Sequence, residues 1–131
     1  MELSLKDKIL IVIYQEYQKD IPNYRDVLDW NLFGAEKEAF GIAVEKLLNE
    51  NLIDGVGVVR CGTEGKFAYF APSNVMMTSS GLEYVENKLE IKPELSNKEK
   101  NIEIGKKLLK FGWEEVKDIG TTLAVKLITS L

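Results

Sequence analysis

The chain has 131 residues, 45% hydrophobic and 29% charged, with a formal net charge of −4, which is material for one real core and excludes two. It holds no histidine and a single cysteine, Cys61, so an internal disulfide, the usual zinc ligand sets and any Ser-His or Cys-His nucleophile pair are excluded. No apolar run approaches the roughly 18 residues of a membrane span, and the charged stretch Met1 to Lys8 is unlike a signal peptide, so the reading is a cytoplasmic protein with no membrane contact.

In chain order, Ser4 with Asp7 reads as a capping box opening a first helix, in which Leu5, Ile9, Val12, Ile13 and Tyr17 recur at helical spacing until Asp20-Ile21-Pro22 stops it. Leu10, Ile11 and Tyr14 add a second apolar face to this helix, which therefore needs a further partner. Asn23 to Asp29 suits a short capped helical turn, and Trp30 to Gly34 a bend. A longer helix is expected from about Ala35 to Asn51, with Phe40, Ala43, Val44, Leu47 and Leu48 on its core face. Leu52 to Arg60 is rich in Val and Ile, Cys61 to Lys66 is a turn signal and Phe67 to Phe70 is the return strand of a hairpin. Val75-Met76-Met77 suits a short strand or a direct lead into Thr78-Ser79-Ser80, the N-cap cluster of a helix carrying Leu82, Val85 and Leu89.

Three helices, a hairpin and a further helix make an α+β chain in the order of a winged helix-turn-helix domain, expected over residues 1–91. Two stretches carry a resemblance. Phe40, Ala43, Val44 and Leu47 lead into Glu50-Asn51-Leu52-Ile53-Asp54-Gly55-Val56, and downstream lies Met77-Thr78-Ser79-Ser80-Gly81-Leu82-Glu83-Tyr84-Val85. This pattern resembles the YjcQ-type family of small winged-helix proteins from Gram-positive bacteria and their phages, over about residues 5 to 90. The chain departs from it at Asn51, where Gly is expected after the third helix, although Asn also tolerates the left-handed conformation. The resemblance implies the fold and no particular chemistry.

Enzyme chemistry has little to stand on. The carboxylate pairs Glu36/Glu38, Glu83/Glu86 and Glu114/Glu115 lie in lysine-rich helical stretches that read as solvated faces, and Gly55-Val56-Gly57 opens no helix that would cradle a phosphate. No catalytic residue, metal site or cofactor is expected.

Residues 92–131 read as a tail. Ser96 with Glu99 supplies a second capping box, after which Ile102, Leu109, Val116 and Leu123 recur at sevens with Trp113, Ile119 and Leu127 beside them, the pattern of a long amphipathic helix. Gly105 and Gly112 leave room for a close partner helix. The tail either folds back on the second face of helix 1 or joins two copies. Its apolar surface exceeds what helix 1 can cover, which favours a homodimer through Leu10, Tyr14, Ile102, Leu109, Trp113, Val116, Leu123 and Leu127.

Two functions follow. The first is a DNA-binding transcriptional regulator of bacterial or phage origin, with Arg25, Lys37, Lys46, Arg60 and Lys66 as the candidate phosphate-contacting residues. The second is a protein-interaction module on the same frame. The regulator is the first reading, as the commonest use of this fold, and the module the alternative. Charge argues for the alternative, because residues 1–90 hold 9 Lys plus Arg against 15 Asp plus Glu, net −6, and the expected outward face of the third helix carries Glu36, Glu38 and Glu45 against Lys37, with Gly41, Ile42 and Asn49 beside them. A contiguous patch of Arg25, Lys37, Arg60 and Lys66 would favour the regulator, and scattered basic residues the module.

Overall fold

The structure, a computed structural model, describes residues 3–71 and 75–110. They form an α+β domain of helices α1 (Leu5–Tyr17), α2 (Tyr24–Val27), α3 (Lys37–Asn49), α4 (Ser79–Leu89) and α5 (Asn97–Lys110). A 3-10 turn, Trp30–Phe33, precedes α3, and strands β1 (Ile53–Asp54), β2 (Gly57–Cys61), β3 (Lys66–Ala71) and β4 (Met76–Met77) lie between α3 and α4.

Helix α1 is the axis of the domain. The Asp7 amide donates to Ser4 Oγ at 3.1 Å and the Ser4 amide to Asp7 Oδ2 at 3.2 Å, so the capping box closes at both ends. Every residue from Ile9 to Glu16 is buried, as a helix apolar on two faces requires. Helices α2, α3, α4 and α5 and strand β4 all pack against it. Helix α3 contributes Phe40, Ala43, Val44 and Leu47, and α4 contributes Val85 and Leu89.

The segment after α3 turns through Asn51 in the left-handed conformation, φ 58°, the role a C-terminal Gly would otherwise take. The Thr78 amide then donates to the Leu52 carbonyl at 3.3 Å, and Thr78 Oγ1 caps α4 by accepting from the Gly81 amide at 2.9 Å. One antiparallel hairpin carries two short ladders. At its base Ile53 pairs with Met77 and Asp54 with Met76. Towards the tip Gly57 pairs with Ala71 and Cys61 with Lys66, with a register shift beside Arg60. Gly55, at φ 77°, separates the ladders, and Gly62 and Gly65, at φ 79° and 63°, turn the tip.

Helix α5 folds back onto α1. Ser96 and Glu99 cap it reciprocally, Ile104 and Leu108 enter the common core, and Asn101 Nδ2 donates to the Gln15 carbonyl at 3.1 Å. Lys100 Nζ and the Tyr14 hydroxyl both donate to Glu86 Oε2, at 3.0 and 2.7 Å, which ties α5, α1 and α4 at one point.

Three expectations change here. The inward face of α5 is Asn101, Ile104, Gly105 and Leu108, not the seven-residue stripe: Ile102 is half-buried and Leu109 is 62% exposed. A single fold-back contact selects the i, i+3, i+4, i+7 set nearest α1, and the stripe is in another phase. Leu10 and Tyr14 are fully buried within the chain, so neither is open to a second copy. Gly41 lies beneath Phe67 instead of facing outward. Of the two adjacent methionines Met77 is buried and Met76 is 49% exposed, because alternation in β4 sends them to opposite sides. Trp113, Val116, Leu123 and Leu127, and the tail beyond Lys110, lie outside the described residues. Among the described residues no helix is long and apolar enough to cross a membrane.

Candidate interaction surface on α3 and the hairpin

Helix α3 presents to the hairpin the side on which Glu38, Gly41 and Glu45 fall, spaced three and four residues apart. Because Gly41 has no Cβ, Phe67 of β3 settles directly over the helix: a Cβ at that position would stand 2.5 Å from Phe67 Cγ. Glu38 Oε2 accepts the Phe67 main-chain N–H at 2.8 Å. Arg60, on β2, reaches back across the helix, with Nη1 3.2 Å from Glu38 Oε1 and Nη2 paired to Glu45. Its Nη1 also donates to the Gly65 carbonyl at 2.7 Å, joining the tip turn to the same cluster. One guanidinium thus spans two carboxylates of α3 and the turn of the hairpin, a use of its planar fork that a lysine could not copy.

The clasp sets one cation between two carboxylates. The Phe67 amide, with Arg60 beside it, holds the Glu38 carboxyl below the ordinary carboxylate range, and Glu45 and Glu38 raise Arg60 further above its usual value. The charge of Arg60 is therefore answered within the chain.

Beside the clasp, between α2, the start of α3 and β3, lies a cleft of about 530 Å³. One wall is α2 and the following turn, with Arg25, Leu28, Asp29 and Trp30; the other is the first residue of α3, Lys37, and strand β3 with Phe67 and Phe70. The aromatic wall is preset, since Phe70 stands 4.5 Å from Phe67 and 5.5 Å from Phe40, ring centre to ring centre, and Phe40 packs on Phe33. Trp30, 36% exposed, leaves part of its ring open to solvent.

The five basic candidates divide. Arg25 and Lys37 meet at the cleft. Arg60 is taken up by Glu38 and Glu45. Lys66 projects at the tip with Glu64 3.2 Å away, and Lys46 is exposed in the last turn of α3. The four residues proposed to form a contiguous patch do not share one uncompensated surface. Sequence reasoning missed Glu38 and Glu45 as partners of Arg60. Their spacing of seven on one helix, opposite a strand carrying a single arginine, was the available signal.

Cys61 is exposed next to Arg60 on β2. Among the described residues no three His, Cys, Asp or Glu side chains converge to hold a metal ion. In comparisons with known proteins, no family model, no curated protein and no solved structure matches this chain. What the fold and the surface define is a small α+β domain whose third helix is partly covered by its own hairpin.

Proposed function

We propose that this chain is a winged-helix protein of the YjcQ-like type that works as a protein-interaction module and does not read DNA with α3. The order of three helices, hairpin and helix supports the winged-helix assignment. The observation that carries the functional reading is the Arg60 clasp: the one arginine of the hairpin is bound to Glu38 and Glu45, and together with the Phe67–Glu38 bond it lays the hairpin over the N-terminal half of α3. A helix entering a major groove must leave that half open and offer cations along it. The overall charge of −4 adds long-range repulsion from a polyanion.

One observation favours the DNA-binding regulator instead, namely that Arg25 and Lys37 converge on one cleft beside the hairpin. Fluorescence-anisotropy titration of the full chain against a pool of genomic DNA fragments at low and moderate salt separates the two. The module reading expects only weak association that vanishes at moderate salt. Saturable binding that survives moderate salt for a subset of fragments overturns it.

A further inference from the structure

The cleft between α2 and β3 combines three features. Its two basic side chains, Arg25 and Lys37, are set against one acidic side chain, Asp29, so it carries positive charge within residues 1–90, which are otherwise acidic. Unlike Arg60, neither Arg25 nor Lys37 is taken up in an ion pair among the described residues. The same cleft holds apolar surface already ordered before any ligand arrives: the half-open ring of Trp30 and the ring of Phe70, packed at an angle on Phe67 and edge-on to Phe40.

We infer that this cleft takes an extended segment of a partner protein in which a carboxylate side chain lies next to a large apolar or aromatic one. The inference rests on the protein-interaction reading and names the partner's chemistry. The cations supply orientation and discrimination against basic segments, and the aromatic wall supplies most of the binding energy through burial. The volume falls within the range of about 300–1,000 Å³ typical of ligand sites, enough to enclose a few side chains and too small to enclose a nucleic-acid duplex. A chain in extended form suits the wall, because β3 is paired on one side only, with β2, among the described residues. Main-chain pairing along a strand is a recurrent way of holding such segments.

The test is selection of a random-peptide library displayed on phage against the full chain, followed by titration of one selected peptide against wild type and the Arg25→Glu, Lys37→Glu double variant. Both side chains are exposed, and circular dichroism melting verifies that the double variant stays folded. The selected sequences are expected to place Asp or Glu beside Phe, Trp or Leu, the charge reversal to weaken binding at least about tenfold, and the Trp30 indole resonance to shift on titration. Selected peptides without acidic residues, or binding indifferent to the double variant, overturns the cleft assignment while leaving a module that binds elsewhere. An empty selection also overturns it. Salt-resistant binding of DNA fragments that the same double variant abolishes overturns both the cleft's ligand and the module reading.

Discussion

At Gly41 a single methyl group decides how the hairpin sits. Alanine in the interior of a helix is ordinarily better than glycine by about 1 kcal/mol, yet here its Cβ would lie 2.5 Å from Phe67 Cγ and 2.9 Å from Phe67 Cβ, atoms close to the backbone that cannot swing aside. Gly41→Ala is therefore expected to destabilise the domain by about 1–3 kcal/mol, read by urea denaturation, with the Phe67 amide losing protection from hydrogen exchange. The tyrosines set a second expectation. Burial, then the neighbouring carboxylate, keeps Tyr14 protonated beside Glu86 and pushes Tyr84, beside Asp7, up to about 12. Their unfolded value is about 10, so above that pH the unfolded chain gives up protons that the native state retains. Stability should hold up to about pH 10 and fall as pH rises further, and Tyr84→Phe should lessen the fall. Asp7 acts at the other end. Burial alone would raise it, but hydrogen bonds from Tyr84 and Ser4 and the charge of Lys88 outweigh that and lower it. Its contribution is present at neutral pH and drains away as pH falls through the lowered value. Of these pairings only Ser4 with Asp7 was legible in the sequence, because Asp7 and Tyr84 are 77 residues apart and Tyr14 and Glu86 are 72.

The elements were legible to different depths. Both capping boxes, the core face of α3 and the N-cap at Thr78 follow from spacing that the structure reproduces. The base of the hairpin was legible only in part: a short strand at Val75-Met76-Met77 is one of two readings of that segment, but its pairing with Ile53 and Asp54 was not legible, since β1 and β4 are two residues long and leave no alternation to read. Helix α5 was legible as amphipathic but in the wrong phase, because one contact with α1, and not a repeat, chooses its inward side. Burying Ile104 and Leu108 is worth about 1.5–3 kcal/mol each, more than an ion pair such as Lys100 with Glu86 reliably adds. Leu108→Ala should accordingly cost about 2–5 kcal/mol. Truncation before Ser96 should expose the α5-facing side of α1 and give a protein that aggregates at moderate temperature; static light scattering during a thermal ramp checks this, and a truncated chain as soluble and stable as the full one would contradict the fold-back. The hairpin offers a parallel test. Arg60→Ala should release its tip, so that the Phe67 amide exchanges several times faster while core amides of α1 keep their protection.

Across the whole molecule, the basic residues that composition offered as a DNA-binding set are redistributed by folding. Arg60 turns inward on Glu38 and Glu45, Lys66 sits with Glu64, and Arg25 and Lys37 join an aromatic cleft instead of a helix face. The sequence showed the acidity of α3 but not its purpose, because ion pairing between a helix and a strand 15 to 22 residues away follows from how the hairpin folds back, not from local pattern. The most direct test of the central claim, that this clasp removes α3 from DNA reading, is a low-salt titration of the nitrogen-15-labelled full chain with a mixed-sequence DNA duplex followed by amide resonances. The account predicts that the resonances of α3 and of Arg60 stay in place as duplex is added. Saturable shifts concentrated along α3, with the Phe67 amide moving as the hairpin lifts, would contradict it.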